Sequence, residues 1–298
     1  MKKLYKNIIV AILFGLAMVD SYATENGVDS AALGAEGFTA GALPPPGVYL
    51  LSYYQNYHAN KMLDNQGDVS VPDFHVDSNA LVTRLVWMTD KKILGGNLGF
   101  YAVQPFADLR ISVAGMSDSN KGLGDLIFAP LLSWHSGNHH WATSIEGVFP
   151  TGDYDAPTIV KPIVANLGKN YYTVRPMFAY SYLGHGLDLS TKVSYSFNTE
   201  NNDTNYQSGD YLAADYSFGY KVTPSLTFGA QGYVFKQLTD DESNYVDIGN
   251  KGQVIGVGPG IHYQPEPNWY LEGKYMKEIE VKNRPEGSAT WMKFVWTF

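Results

Sequence analysis

Cysteine is absent from the 298 residues, and charged side chains make up only 17% of them. Without thiols, the chain has no disulfide framework and no thiolate metal site. The formal net charge of −8 argues against a basic surface that binds nucleic-acid phosphates, so nucleic acid is not expected as a partner. Beyond residue 23 the chain also lacks any apolar run long enough for a transmembrane helix. The lack of cysteine also fits an exported β-barrel.

Aromatic residues and glycine are abundant instead. The chain has 22 tyrosines and 30 glycines, and its mean hydropathy is −0.19. This composition is too polar for a helical membrane protein and unusually aromatic for a soluble one. It fits a β-barrel whose outer face meets lipid.

The first 23 residues form a predicted secretory signal peptide. Lys2 and Lys3 precede the apolar run 8–19, and Ser21 and Ala23 supply the small residues before a cleavage site. An uncleaved anchor is the alternative, although the run is short for a bilayer span.

Residues 24–46 follow without any hydrophobic period and end in three consecutive prolines. Proline runs favour an extended backbone and cannot donate to a β-ladder. We therefore predict a periplasmic leader that lies in or below the mouth of a barrel, or that partly plugs it.

Residues 47–298 read as twelve segments with a two-residue period, the pattern of β-strands with two different faces. In the last segment, 287–298, Phe294, Trp296 and Phe298 share one face while Lys293 lies on the other. This terminal aromatic row looks like the C-terminal assembly signal of bacterial outer-membrane barrels. The alternative is an ordinary terminal strand of a β-sandwich.

Connections between these segments alternate in length. Those at 60–75, 151–170 and 239–252 are long and polar, whereas those at 183–186 and 222–224 are short. Long surface loops and short periplasmic turns are typical of outer-membrane barrels. We predict an all-β fold, a single antiparallel transmembrane β-barrel of about 12 strands, in the outer membrane of a Gram-negative bacterium.

If the apolar faces meet lipid, the other faces line a lumen. In the third segment, 98–113, Tyr101 and Val103 are then predicted to face outward, and a bulge is expected at Pro105. The charged residues predicted to face the lumen are Arg84, Asp108, Arg110, Asp125, Glu146, Arg175, Asp188, Lys192, Asp215, Glu272, Lys274 and Lys293. They predict either an ion-pair network that fills the barrel or a selective polar path with an electrostatic constriction.

Other motifs give little support to metal, cofactor or enzyme chemistry. His135, His139 and His140 share an exposed turn without an adjacent carboxylate, and the acidic loop 240–242 lacks a helix-loop-helix calcium spacing. That loop could bridge cations of lipopolysaccharide, but a solvated loop is the simpler interpretation. No metal or cofactor is expected.

An acyl hydrolase on the outer face of a barrel needs a serine and a histidine near the surface rim. Ser133 and His135 fall at the opposite rim, and no serine with the right phase is evident near His58. No enzyme activity is therefore expected.

Several pieces together resemble the meta-pathway of phenol degradation family. They are the leader end 43–49 (LPPPGVY), 122–125 (GLGD), 146–152 (EGVFPTG), 256–259 (GVGP) and the terminal aromatic strand. The resemblance covers the chain after the signal peptide. It implies an outer-membrane barrel that helps hydrophobic aromatic compounds enter, and it brings no catalytic residues.

The predicted function is therefore passive, porin-like uptake of small hydrophobic or aromatic compounds. The alternative is a closed structural or surface-interaction barrel that works through its long loops. Expected partners are outer-membrane lipid and lipopolysaccharide, the barrel-assembly machinery and a small hydrophobic or aromatic solute.

Overall fold

The computed structural model describes residues 24–27 and 29–298, so the predicted signal peptide, residues 1–23, lies outside the described residues. Within this part of the chain, regular structure is β apart from one 3-10 turn at Glu25–Gly27. The strands are β1 (Gly47–Met62), β2 (His75–Ile93), β3 (Gly96–Val113), β4 (Met116–Leu123), β5 (Leu126–Ser136), β6 (His139–Phe149), β7 (Thr173–Gly184), β8 (Leu187–Asn198), β9 (Tyr206–Gln207), β10 (Tyr211–Thr223), β11 (Leu226–Gln237), β12 (Asp241–Ser243), β13 (Val246–Gly249), β14 (Gln253–Glu266), β15 (Trp269–Lys282) and β16 (Pro285–Thr297).

Thirteen of these strands form one antiparallel sheet that closes on itself. The first strand pairs with the last, β1 with β16, and the pairing of β2 with β3 completes the ring. β4 and β5 lie one beyond the other along β3, so they act as one interrupted strand and the barrel has twelve. Closure leaves no barrel edge unpaired in the membrane. The predicted barrel and strand number are confirmed.

The interruption between β4 and β5 lies beside Pro105 of β3. Pro105 stays in register with Val82 of β2, and its carbonyl accepts a hydrogen bond from Gly124 N at 3.0 Å. The irregularity therefore falls in the neighbouring strand, and the prediction of a bulge in β3 is wrong. Because proline has no N–H to donate, its position coincides with the break in its partner.

The two ends of the barrel differ in their connections. At one end, which we call the turn end, all five connections are two-residue turns, at 94–95, 137–138, 185–186, 224–225 and 267–268. Leu94 and Gly95 have φ of 51° and 77°, as the hairpin turns that match strand twist require. The other end, the loop end, carries the longer connections, including 63–74, 150–172 and 238–252.

The outer surface of the barrel is apolar. On β16, Met292, Phe294 and Trp296 are exposed on the outside, while Lys293 and Val295 between them are buried inside. The same exposed phase recurs on other strands, at Leu81, Leu85, Phe128, Phe178, Phe218 and Phe228. A closed barrel with an apolar outer band has the surface that an outer membrane requires. Among the described residues, no helix is long and apolar enough to cross a membrane.

The faces of β3 are the reverse of the prediction. Tyr101 and Val103 are buried inside, and the Arg110 side chain is 70% exposed on the outer phase. The assumption that apolar residues face lipid fails here because the inner wall is itself apolar. A cluster on β1, β2, β3 and β5 forms this wall: Tyr49, Val86, Met88, Tyr101, Val103, Ala129 and Leu131.

Candidate functional site: the barrel lumen

The described residues of the leader, 24–27 and 29–46, run through the barrel from the loop end to the turn end. Thr24 N donates to Asp241 Oδ2 at 2.8 Å among the long connections. Gly41 N donates to Ser181 Oγ at 2.8 Å, close to the turn at 185–186. The leader therefore lies inside the barrel along its length, which goes beyond a leader at the mouth.

Buried carboxylates hold the leader at the loop end. Glu25 accepts hydrogen bonds from Thr204 Oγ1 and Asn201 Nδ2, each at 2.7 Å, and burial raises its pKa. Asp241 accepts a hydrogen bond from Gly209 N at 2.7 Å, and burial raises the pKa of Asp241 to about 6. Part of the acidic loop predicted to be solvated thus serves to dock the leader.

Carboxylates of the barrel wall accept hydrogen bonds from the leader backbone further down. Asp215 accepts from Gly34 N at 2.8 Å and from Glu36 N at 3.1 Å. Asp188 accepts from Thr39 N at 3.0 Å. The leader has no ladder partner here, so its buried N–H groups need such acceptors. These lumen acids therefore bind backbone as well as cations.

The centre of the lumen holds a cluster of charges around Glu36. Its carboxylate accepts hydrogen bonds from Lys293 Nζ at 3.1 Å and from Arg84 Nη1. Lys192 Nζ lies 3.3 Å from Asp215 Oδ2 beside this cluster. Lys274 Nζ donates to the carbonyl of Glu36 at 2.8 Å. One leader residue thus contacts cations from three strands.

A second ion pair lies nearer the loop end. Arg175 Nη1 donates to Glu146 Oε2 at 2.8 Å, and Tyr101 OH donates to the other carboxylate oxygen at 2.6 Å. Arg175 Nη2 also donates to Ser30 Oγ of the leader at 2.6 Å. This pair therefore joins the wall to the leader as well as β6 to β7.

At mid-depth the leader lies against β11 and β15. Gly34 has φ of 74°, and a side chain there would meet Met276 and Tyr233 of that wall. On the opposite side, a cavity of about 40 Å³ separates the leader from residues of β2, β3 and β7. A narrow gap therefore remains beside the leader.

A larger cavity of about 330 Å³, the turn-end cavity, follows toward the turn end. Arg84, Met177 and Lys192 line both cavities, so the two adjoin at these side chains. Its volume falls in the range of roughly 300–1,000 Å³ that is usual for small-molecule sites. The apolar part of its wall consists mainly of Leu43, Pro44, Tyr49, Leu51, Val86, Leu131 and Val295.

The structure places ten of the twelve predicted lumen charges on the inner side: Arg84, Asp125, Glu146, Arg175, Asp188, Lys192, Asp215, Glu272, Lys274 and Lys293. Asp125 differs in role from the others. It accepts hydrogen bonds from Gly152 N at 3.0 Å and Lys169 N at 2.8 Å, and so shapes the connection 150–172.

Asp108 and Arg110 lie outside, so the prediction that they face the lumen is wrong. They belong to the part of β3 that pairs with β4. There Asp108 lies 3.6 Å from Arg110 and 3.9 Å from Lys121, in exposed ion pairs. The reason is the reversed phase of β3, which follows from its apolar inner wall.

Sequence reasoning missed the contributions of the leader. Asp29 pairs with Arg284 Nη2 at 2.7 Å, and Glu36 organises the central cluster. A usable signal was present: Glu36 is the sole charged residue between positions 30 and 46. An isolated carboxylate in an uncharged segment needs a cationic partner when it is buried.

The histidine turn shows no three-ligand arrangement. His135 Nδ1 lies 2.7 Å from His140 Nδ1, whereas His139 Nδ1 lies 2.7 Å from Tyr180 OH. Among the described residues, no group of three or more histidines and carboxylates is arranged to hold a metal ion.

A row of polar residues on the outer face contradicts the prediction that no serine with the right phase lies near His58. His58 Nδ1 lies 2.7 Å from Asp77 Oδ1, and Ser288 is directly opposite His58 in the register of β1 and β16. A serine with the right phase therefore exists. Its side chain makes no hydrogen bond among the described residues, so the nucleophile–base contact of an acyl-transfer site is not formed.

Comparison with known proteins identifies a family. Residues 59–294 match the family described as "Putative MetA-pathway of phenol degradation". No protein with a curated description matches this sequence.

Two solved structures share the fold of this chain. An outer membrane channel from Pseudomonas putida F1 is 18% identical with a TM-score of 0.76, and the alignment covers 91% of this chain and 100% of that one. The beta domain of the Bordetella autotransporter Brka is 9% identical with a TM-score of 0.52, over 86% of this chain and 100% of that one. With the apolar outer band, this fold places the protein in the outer membrane.

Proposed function

Because this chain belongs to the family described as "Putative MetA-pathway of phenol degradation", we propose that it is an outer-membrane channel for small hydrophobic or aromatic compounds. The turn-end cavity carries the proposal. It offers about 330 Å³ inside the barrel, with apolar walls on which an aromatic ring can lie. A barrel that served only as a scaffold would have no need of a ligand-sized apolar space.

The leader controls this passage in our proposal. It lies in the lumen beside a gap of about 40 Å³, which is too small for an aromatic ring. Transport therefore requires the leader to shift away from Arg84 and Lys192, where the two cavities adjoin. Wall carboxylates such as Asp215 and Asp188 hold it through individual hydrogen bonds, which can break one at a time.

Deleting residues 24–46 tests both the proposed channel and the proposed control of its passage by the leader. The variant should raise single-channel conductance in planar bilayers severalfold and speed the entry of neutral aromatics into liposomes. Replacing the exposed Ile159 and Val160 by serine is the control, since both project from a long connection. If the deletion variant folds as a barrel and neither conducts nor admits aromatics, the channel proposal fails.

A closed barrel is the second candidate, and the docked leader favours it. Carboxylates at several depths hold the leader, from Asp241 at the loop end to Asp188 near the turn end. In that case the long connections would carry a surface interaction. The intact protein would then pass neither ions nor aromatics, while the deletion variant would conduct.

Orientation and assembly belong to the same proposal. The turn end faces the periplasm and the loop end faces outward, where the acidic and basic loop residues meet lipopolysaccharide. Phe294, Trp296 and Phe298 lie on the lipid face, and we assign them to recognition by the barrel-assembly machinery. Deleting Phe298 should lower the amount inserted in cells but leave the conductance of refolded protein unchanged; equal insertion would contradict the assignment.

A further inference from the structure

We propose that the turn-end cavity binds a small organic monoanion with an aromatic body, of the arene carboxylate class. This inference rests on the proposed function, because the ligand reaches the cavity through the channel. It adds a charge requirement to the aromatic substrate. The argument concerns the cationic side chains of the cavity, their partners and the apolar wall that faces them.

Three cations line the turn-end cavity: Arg84, Lys192 and Lys293. Their side chains are 19%, 17% and 6% exposed, so water solvates them poorly. Within the described part of the chain, two carboxylates contact these cations. Glu36 forms ion pairs with both Arg84 and Lys293, and Asp215 forms one with Lys192. The cavity therefore carries one positive charge that these two acids do not balance.

Among the described residues, the neighbouring acids form no ion pair with these three cations. Glu146 pairs with Arg175 at 2.8 Å, and Glu272 lies 3.6 Å from Lys274. Asp188 accepts its hydrogen bonds from Ser190 Oγ and the Thr39 amide. A partly buried charge without a counterion is costly in a low-dielectric interior. An anion in the cavity removes that cost, whereas a neutral molecule of the same size does not.

Arg84 and Lys192 also have N–H donors that are available to a ligand. Arg84 donates only from Nη1 among the described residues, to Glu36 and to Tyr53 OH. A guanidinium has five N–H donors, and its planar fork matches a carboxylate. Lys192 has Asp215 at 3.3 Å as its ion-pair partner, which leaves further ammonium hydrogens for a ligand.

The remaining wall suits an aromatic body. Leu43 and Pro44 of the leader line this cavity together with Val86 and Leu131 of the barrel. Flat apolar surfaces bury a ring without needing hydrogen bonds from it. Cations and apolar wall in one cavity thus select a ring that carries one negative group over a purely polar anion.

Titration calorimetry on the full chain in detergent tests the proposal, with benzoate and benzamide as matched probes. These molecules have the same ring and nearly the same size and differ in charge. Benzoate should bind at least tenfold more tightly in low-salt buffer, and added salt should reduce the difference because it screens the charge. Equal affinities for the two probes would overturn the inference.

Variants of Lys192 separate charge from packing. Lys192→Met should weaken benzoate binding at least tenfold and leave benzamide unchanged, and Lys192→Arg should restore benzoate binding. Lys293→Met is the second variant, in case the loss of Lys192 disturbs folding, and barrel folding is checked by heat-dependent gel mobility. Benzoate affinity that is unchanged in both folded methionine variants would contradict the site.

Liposome flux separates this inference from the proposed function. If neutral aromatics pass through the protein while benzoate does not bind, the anion site is refuted and the channel stands. If benzoate binds but no aromatic compound crosses, the anion site is supported and the channel is refuted.

Discussion

The Glu36 carboxylate of the leader lies 3.1 Å from the Lys293 ammonium of the closing strand β16. Arg84 of β2 donates to the other carboxylate oxygen. β1 lies between β16 and β2, so these contacts fasten the leader across the seam where the barrel closes. Removing this one carboxylate is therefore expected to affect the leader more than any exposed charge.

Replacing Glu36 by glutamine should loosen the leader, because Arg84 and Lys293 then lose their shared anion. Breaking one side of a buried ion pair costs about 3–5 kcal/mol. Bilayer recordings should show higher conductance and a shift of the reversal potential toward anion selectivity. Glu286→Gln is the matched control, since its pair with Lys61 at 3.0 Å is more exposed. Identical recordings for both variants would contradict the role of Glu36.

A valine at Gly41 should displace the turn-end half of the leader. An added Cβ would lie 2.6 Å from the backbone nitrogen of Ser181, which cannot move without disturbing β7. Ala40 lines the turn-end cavity, so Ala40→Val has room. Hydrogen–deuterium exchange of the leader should increase in Gly41→Val and stay near the wild-type rate in Ala40→Val. Equal protection in both variants would argue against this close packing.

Docking of the leader should weaken as pH rises. Burial raises the pKa of Glu25 in the docked leader, and release returns it to the ordinary carboxyl range. The docked state therefore binds the proton more readily, so docking is favoured at acid pH and is weakened as pH rises through the raised pKa. Conductance should increase as the pH rises above the ordinary carboxyl range and through the raised pKa of Glu25.

Glu25→Gln provides the control for this pH dependence. Glutamine stays uncharged and keeps one acceptor for Thr204 Oγ1. The conductance of this variant should vary less with pH and should remain near the acid value of the wild type. A pH profile that matches the wild type would mean that another group is responsible.

Single cysteines can establish the orientation, because the natural chain has none. Asn65 lies in a long connection at the loop end, and His185 lies in a turn at the other end. A membrane-impermeant thiol reagent should label Asn65→Cys on intact cells and His185→Cys only after the outer membrane is opened. The reverse pattern would overturn the proposed orientation.

The barrel itself was predictable because its signals are local. The two-residue alternation on β16, with Phe294 and Trp296 outside and Lys293 inside, follows from strand geometry alone. Alternating long and short connections then indicate antiparallel neighbours and closure. The lumen position of Glu146, Arg175 and Lys293 follows from the same alternation, since charge belongs on the face away from lipid.

Local alternation could not determine what fills the lumen. Residues 24–46 have no period, and their path depends on acceptors that are distant in sequence, such as Asp215 and Asp241. The phase of β3 depends in the same way on an apolar inner wall built by other strands. The sequence by itself determined a closed outer-membrane barrel with a charged interior. Only the tertiary structure decided that the leader occupies this interior and leaves a cationic, apolar-walled cavity, because contacts between distant segments produce both.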